Sequence, residues 1–334
     1  MTKGFIAMAR RARRIALLAV PAALLLTLAP VNPAQAKWPE KPVRIVLPFG
    51  PGGVADVTSR MLAAKLTEKF GQQVVIENMP GPGGINAART VINAAPDGYT
   101  MALVTNGTSI SVAAFNKLPF DPVKDLAMVS MVGTFDLVFA VNAASEYKTL
   151  GDFIKAAKAN PGKFNIGTTL LGGTQNLGAE LFKIVADLNV QVVPYKNSPD
   201  IVVALFRNDV QMMIDFPPAV QGQVNDGKVR LLASSSSQRS ALLPKTPTVA
   251  ESGVKDYEVI SWNGIAAPKG TPQDVIDAMN KAMHEVLASP ELKAQFQKVG
   301  VEAHASTPAE LMGRLTSDIK KWDVVIVKAG IAKK

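Results

Sequence analysis

Residues 43–70 have the sequence VRIVLPFGPGGVADVTSRMLAAKLTEKF, in which an apolar run leads through a glycine-rich turn into a segment with helical spacing. This order predicts a strand, a tight turn and a helix. The turn itself, PFGPGGVAD at 48–56, lies where the helix begins. Because a helix N-terminus offers unpaired N–H groups and the positive end of the helix dipole, we expect this turn to favour an anion.

Apolar runs and segments of helical spacing alternate along the chain, which is typical of α/β sheets with helices on their faces. The clearest further runs are VVIEN, YTMALVT, FNIGT, QVVPY and VQMMIDF. We also expect a hairpin-like pair at LAMVSMVG and DLVFAVN, and a mainly helical C-terminal third from Pro272. The length predicts two lobes, with a ligand cleft between them that closes by hinge motion.

The first 36 residues have the three parts of a secretory signal peptide. Five basic side chains precede an apolar run at 15–29, and Ala34-Gln35-Ala36 forms an A-x-A cleavage site. The apolar run is shorter than the roughly 20 residues of a membrane span and contains Pro21. We therefore expect an exported, periplasmic protein that is cleaved near Ala36, and a retained N-terminal anchor is the alternative.

Composition argues against several classes of function. Five of the 36 Lys and Arg residues belong to the predicted signal peptide, so the rest of the chain carries 31 basic and 27 acidic residues, a net charge of +4. That balance predicts no nucleic-acid surface. Cysteine is absent, and the two histidines, His284 and His304, lack partners at metal-binding spacing. We expect no metal, no cofactor and no catalytic activity.

Three segments place backbone N–H groups at predicted helix N-termini, namely 48–56, 105–109 and 168–176. Their glycines would let a ligand approach the backbone closely. Neutral side chains in the second and third segments can add hydrogen bonds: Thr108, Thr168, Thr174 and Asn176. Together the segments predict a shared site for a small anion. The alternative is that they are only turns and caps, with Asp56 and Thr174 as helix N-caps.

The first turn also satisfies a dinucleotide-binding pattern. Gly50, Gly52 and Ala55 match G-x-G-x-x-G/A, and Glu77 ends the next apolar run, where an acid would bind a ribose. Expected export and a second glycine-rich turn at 81–84 weigh against this hypothesis. An exported oxidoreductase of Rossmann type is kept as an alternative. A phosphate-binding P-loop is excluded, because no Gly-Lys-Ser/Thr sequence follows Gly50 at the required spacing.

Longer motifs then occur in a fixed order. They include WPEKPVRIVLPFGPGGVAD, VVIENMPGPGG, PDGYT, LPFDPVKDL, NIGTTLLGGTQNLGAELFK, LPKTPTVAESGVKDYE and KWDVVIVKAGI. In these motifs the chain, from residue 38 to 331, resembles the Bug-type substrate-binding proteins of tripartite tricarboxylate transporters. The resemblance implies a two-lobed periplasmic binding protein with a Venus-flytrap, type II-like fold. Lobe 1 would comprise 37–138 and 257–334, and lobe 2 would comprise 139–256.

The resemblance also implies the ligand and the partners. The ligand would be a small carboxylate, either a di- or tricarboxylate or an aromatic acid. Carried over to this sequence, its binding residues would be Phe49, Gly50, Pro51, Gly52, Gly53, Asp56, Asn106, Thr108, Thr168, Gly172, Gly173, Thr174, Asn176, Tyr195, Asp215 and Phe216. The protein would be a monomer that delivers the ligand to membrane permease subunits. A ligand sensor that signals to a membrane kinase is a further alternative.

Several positions depart from the family pattern, mostly in the second lobe. Asn176 stands where His is frequent, and Asn197 stands where Gly is usual. Phe216 is either a core residue or an apolar wall of the cleft. Asp56 and Asp215 would repel a carboxylate ligand, so we expect them to cap a helix, to order water or to accept from a donor group of the ligand.

Overall fold

The computed structural model describes residues 38–333, and the predicted signal peptide lies outside them. The strands are β1 (Val43–Leu47), β2 (Val74–Asn78), β3 (Thr100–Thr105), β4 (Leu126–Asp136), β5 (Val138–Asn142), β6 (Asn165–Thr169), β7 (Gln191–Tyr195), β8 (Met212–Asp215), β9 (Val229–Ser234), β10 (Ile260–Pro268) and β11 (Glu302–Ala303).

The helices follow the strands along the chain. They are α1 (Val54–Phe70), α2 (Ile85–Ile92), α3 (Asn106–Ala114), α4 (Pro122–Asp125), α5 (Leu150–Ala159), α6 (Thr174–Val185), α7 (Ser198–Arg207), α8 (Gln221–Asn225), α9 (Gln273–Leu287), α10 (Pro290–Lys298) and α11 (Pro308–Lys328). Two short 3-10 turns, Pro82–Gly84 and Pro217–Ala219, complete the regular structure between residues 38 and 333.

The strands separate into two sheets, each at the centre of one lobe. The six-stranded sheet of the first lobe has the order β11–β4–β10–β3–β1–β2, and the five-stranded sheet of the second lobe has the order β7–β6–β8–β5–β9. In the first sheet β1 is parallel to β2 and β3, and in the second β6 is parallel to β7 and β8. The predicted two-lobed α/β fold is confirmed, and β1 and β6 hold equivalent places in their sheets.

Parallel strands at the centre of a sheet are apolar on both faces, because helices cover both faces. In β1 this pattern is clear, since Val43, Ile45, Val46 and Leu47 are all buried. The apolar run ends at Pro48, which lacks an N–H group for a sheet. The turn that follows therefore emerges at the carboxyl edge of the sheet, where open α/β folds bind ligands.

The chain crosses between the sheets at two places, through Leu137 and through the segment 235–259. Hydrogen bonds tie the crossings together: Leu137 N donates to Ser235 Oγ at 2.7 Å, and Ser235 N donates to Leu137 O at 3.0 Å. Beside them, Ser236 Oγ donates to Asp136 Oδ2 at 2.8 Å. We refer to residues 136–137 and 235–236 as the hinge.

The strands on either side of Leu137 do not form the expected hairpin. β4 pairs with β10 and β11, whereas β5 pairs with β8 and β9. The hairpin prediction was wrong because the apolar run continues through Leu137, with no turn signal where the chain changes sheets. The alternation also missed β10, whose Ser261 and Asn263 are buried between two paired neighbours although such residues are poor strand formers.

The C-terminal helix α11 contributes to the cores of both lobes. Its Leu311 and Leu315 pack in the core of the first lobe. Its Trp322, Val325 and Ile326 are buried in the core of the second lobe. α11 is 21 residues long, yet within residues 38–333 no helix has both the length and the apolar character that crossing a membrane requires.

Candidate functional site

The turn after β1 enters α1 without a side-chain cap. Gly53 is the N-cap residue, with φ −77° and ψ 168°, and no side chain there accepts from the first N–H groups of the helix. Asp56 lies inside the helix, so the alternative that it is the N-cap was wrong. A methyl group added at Gly50, Gly52 or Gly53 would meet no atom within 4 Å. The N-terminus of α1 is therefore open to a ligand from the side of the turn.

Asp56 holds this first loop from behind. Its carboxylate is buried, accepts from Gly52 N at 3.0 Å and from Asn78 Nδ2 at 2.9 Å, and pairs with Arg60 Nη2 at 2.9 Å. These hydrogen bonds, above all the one from Arg60, lower the pKa of Asp56 to about 2. Gly52 has φ +88°, which glycine adopts without strain. Asp56 is thus an ionised carboxylate whose charge is compensated within the first lobe.

The turn after β6 enters α6 in the same way. Gly173 is the N-cap residue, with φ −79° and ψ 171° and no side-chain cap. Thr174 is the first helical residue, so the alternative that it is the N-cap was also wrong. Gly172 has φ +76°, and its N–H donates to Asn176 Oδ1 at 3.0 Å. The buried Asn176 also donates through Nδ2 to Thr168 Oγ1 at 3.3 Å.

The two loops are structural counterparts. In each, a glycine with positive φ donates its N–H to the side chain four residues later, and the next glycine is the N-cap of the helix. The accepting side chain is the carboxylate of Asp56 in the first lobe and the amide of Asn176 in the second. Both side chains are buried, so each orients its loop from behind.

Asn106, at the start of α3, connects the two lobes beside these loops. It is fully buried, its Nδ2 donates to Thr174 Oγ1 at 3.0 Å, and its Oδ1 accepts from Trp322 Nε1 at 2.8 Å. The next residue, Gly107, lies against the first loop, since a methyl group added there would be 4.0 Å from Phe49 Cζ. The three predicted loops therefore meet at one place.

Asp215 lies at the end of β8, beside the second loop. Its buried Oδ1 accepts from Gln175 Nε2 at 3.0 Å and from Phe216 N at 2.8 Å. Its Oδ2 is buried and has no hydrogen-bond partner among residues 38–333. The half-buried ring of Phe216 packs edge-on against Phe135, with 4.9 Å between the ring centroids. Phe216 thus packs against a first-lobe ring close to the hinge.

Two of the predicted ligand-binding residues, Thr108 and Tyr195, form hydrogen bonds within the fold. Thr108 Oγ1 accepts from Thr105 N at 3.0 Å. Tyr195 ends β7, and its carbonyl accepts from Leu170 N at 3.2 Å. Its ring packs on the α7 side of the second sheet, and burial raises the pKa of its hydroxyl. The structure thus joins the glycine loops, Asn106 and Thr174, and it places Thr108 and Tyr195 at their margin.

Four residues that orient the site were not predicted from the sequence: Arg60, Asn78, Gln175 and Trp322. Arg60 had a usable signal, because it follows Asp56 by four residues on a helix and can pair with it. Gln175 lies inside a predicted loop and was overlooked. Trp322 had no usable signal, since 216 residues separate it from Asn106.

The dinucleotide alternative requires a free acid at Glu77. In the structure Glu77 Oε2 accepts from Arg44 Nη1 at 2.9 Å, so that carboxylate is engaged within the sheet. No group of three or more His, Asp and Glu side chains in the described part of the chain is arranged to hold a metal ion. The loops offer backbone N–H groups and neutral side chains, and Arg60, beside the first loop, is paired with Asp56.

Known proteins share both the sequence and this architecture. The family model for the receptor of the tripartite tricarboxylate transporter family matches residues 58–331. Protein BugT of Bordetella pertussis is 33% identical over 317 residues, which cover 94% of this chain and 97% of BugT. The solved structure of R. palustris Rpa4515 with adipate has a TM-score of 0.74 and 31% identity, and the match covers 88% of this chain and 99% of that one.

MatC from Rhodopseudomonas palustris, solved with bound malate, has a TM-score of 0.70 and 27% identity, and the match covers 86% of this chain and 99% of MatC. The family model spans more than half of the chain, and BugT is similar along nearly its whole length. The sequence motifs, the paired sheets and the matched glycine loops lead to the same assignment. The chain belongs to the receptor family of the tripartite tricarboxylate transporters.

Proposed function

We propose that this protein is a periplasmic receptor that captures a small carboxylate between its lobes and delivers it to the permease subunits of a tripartite tricarboxylate transporter. The observation that carries this proposal is the pair of glycine-capped helix N-termini at Gly53 and Gly173, one from each lobe. The hydrogen bond between Asn106 and Thr174 brings the lobes together beside them. Two positive helix ends can then share one anion.

The ligand class follows from the donors. Backbone N–H groups and neutral side chains bind a carboxylate without a salt bridge, because Arg60 already compensates Asp56. Two similar proteins were solved with adipate and with malate, both small dicarboxylates. A site of this kind holds its ligand by closure and releases it readily, as delivery to a permease requires.

The lobe boundaries belong to the same proposal. We assign 37–138 and 257–334 to lobe 1 and 139–256 to lobe 2, with the first boundary moved back by one residue because Val138 already pairs in the second sheet. Among the predicted ligand-binding residues, the glycine loops and Thr174 then face the ligand. Asp56 and Asn176 orient the loops from behind, and the fully buried Asn106 holds Thr174.

Calorimetric titration of the chain from residue 37 tests this function. The ligands are adipate, malate, citrate and benzoate, and the matched control is adipamide, which has the shape of adipate without its charge. We expect at least one acid to bind and adipamide not to bind. Equal binding of adipamide and adipate, or the absence of binding by every acid, would contradict the proposal. A thermal shift with NAD or NADP would instead support the dinucleotide alternative.

A further inference from the structure

We propose that Asn176 is a positioning residue whose neutral amide sets the affinity of the second-lobe loop for an anionic ligand. This inference rests on the function proposed above and deepens it, because it identifies how the two loops differ in charge. The comparison between Asp56 and Asn176 carries it. Both side chains are buried, and both accept from the N–H of a glycine at 3.0 Å.

The surroundings of the two side chains differ in charge. One helical turn beyond Asp56 stands Arg60, which pairs with it at 2.9 Å. One helical turn beyond Asn176 stands Glu180, whose carboxylate lies 3.5 Å from Lys183. A carboxylate at position 176 would therefore have a second acid, and no arginine, on the next turn of its helix.

Hydrogen bonding alone does not require an amide at this position. One oxygen of an aspartate could accept from Gly172 N, as Asn176 Oδ1 does. The other oxygen could accept from the hydroxyl of Thr168, which can rotate to donate. An aspartate would thus satisfy the same partners with the same shape. The property that distinguishes Asn176 from an aspartate in this place is the absence of charge.

The absence of charge at position 176 affects how strongly the loop binds an anion. The first N–H groups of α6 and the N–H of Gly172 lie on the backbone that Asn176 holds, so a negative charge there would oppose an anion at the helix end. In the first lobe the charge of Asp56 is compensated by Arg60, so it opposes the anion much less. The second loop has the same hydrogen-bonded shape as the first, but Asn176 carries no charge that a neighbouring residue must compensate.

The test is Asn176→Asp, titrated with the tightest binder among adipate, malate, citrate and benzoate between pH 4 and pH 8, a range that reaches the ordinary aspartate pKa of about 4. We expect affinity at pH 8 to fall about tenfold or more, from repulsion between two nearby charges. The ratio of the dissociation constants of variant and wild type should fall towards 1 as the pH is lowered, because a protonated aspartate is neutral. Asn176→Ala, which loses the bond to Gly172, should show a ratio that does not change with pH.

A compensating variant completes the test. Asn176→Asp combined with Glu180→Arg recreates the Asp–Arg pair of the first lobe and should restore affinity at pH 8 to within about threefold of wild type, with Glu180→Arg alone as control. Asn176→Asp binding within twofold of wild type at pH 8, a loss equal at pH 4 and pH 8, or no recovery in the double variant would overturn the inference. Wild type that binds none of the acids would overturn the proposed function, and this inference with it.

Discussion

Asp56 and Asn176 each support one of the two glycine loops through a hydrogen bond to its backbone. Each side chain is buried and accepts from the N–H of a glycine in the turn before a helix. For Asp56 this resolves a question that charge alone leaves open, because its carboxylate is turned inward to Gly52, Asn78 and Arg60. At the scale of single residues, the site is shaped by side chains behind the loops as much as by the loops.

Asp56→Asn should reduce stability in a manner that depends on pH. Because the folded pKa of Asp56 lies near 2, below its ordinary 3.8, its contribution is fully present above about pH 4 and is lost as the pH falls towards 2. We expect the free energy of unfolding of wild type to exceed that of the variant by about 1 to 2 kcal/mol at pH 7. This value allows for solvent screening at the partly exposed loop. Urea unfolding at pH 7 and pH 3 measures the difference, and a pH-independent gap would contradict the expectation.

Thr174→Ala should weaken ligand binding about fivefold to tenfold. The change removes the hydroxyl that accepts from Asn106 Nδ2, which leaves a buried donor without its partner and loosens the contact between the lobes. Thr174→Ser keeps the hydroxyl and is the matched control. Calorimetry with the best-binding acid gives the affinities, and equal affinity of the alanine variant and wild type would show that Thr174 has no part in the site.

At the scale of elements, helix α6 is positioned by a glycine at its centre as well as by the glycine at its start. A methyl group added at Gly178 would lie 2.7 Å from Leu137 Cδ1, in the hinge. The carbonyl of Gly178 also accepts from the buried Tyr257 hydroxyl at 3.2 Å. The second glycine loop is therefore fixed relative to the hinge through the close contact of α6 with Leu137.

Gly178→Ala should destabilise the protein by about 1 to 3 kcal/mol, because the added methyl group overpacks the contact with Leu137. Gly313→Ala is the matched control. Gly313 is also within a helix, α11, but a methyl group there meets open space. Alanine should stabilise that helix by about 0.5 to 1 kcal/mol. Thermal or urea unfolding distinguishes the two, and equal effects would refute the packing argument.

Elements that follow a local sequence pattern could be predicted from the sequence. Elements and contacts that depend on tertiary packing could not. The apolar run at β1, the glycine turn and the spacing of α1 together predicted a strand–loop–helix unit, which the structure shows. β10 was missed because burial and pairing on both edges outweigh the weak strand propensity of Ser261 and Asn263. The link between Asn106 and Trp322 is set by tertiary packing alone.

At the scale of the whole molecule, the hinge contains Asp136, a carboxylic acid whose burial disfavours the ionised form. Burial raises the pKa of Asp136 to about 6, and the nearby charges of Glu302 and Glu258 act in the same direction, while the Ser236 hydroxyl opposes them. Asp136 is thus neutral in mildly acidic solution and ionised at neutral pH. Asp136 therefore changes its charge within the hinge, where the chain passes from the first lobe to the second.

Asp136→Asn should remove this titration. Because the folded pKa is raised above the ordinary 3.8, the stability that protonated Asp136 provides is present below about pH 4 and is lost as the pH rises through about 6. The unfolding free energy of wild type minus that of the variant should therefore fall by about 2 to 3 kcal/mol between pH 4 and pH 7.

Ser236→Ala is the companion variant for this measurement. It removes the donor that favours the charged form of Asp136, so the titration should move to higher pH. Chemical unfolding across this pH range follows all three proteins. A difference between wild type and Asp136→Asn that stays constant from pH 4 to pH 7 would show that Asp136 does not titrate as described.

Helix α11 completes a core whose other elements lie much earlier in the chain. Trp322, Val325 and Ile326 fill the second-lobe cluster whose strands start at Val138, and Trp322 reaches back 216 residues to Asn106. Closing so long a segment of chain costs entropy that only the finished contacts offset. A chain without α11 therefore lacks part of that core, so the second lobe cannot complete its packing until α11 is in place.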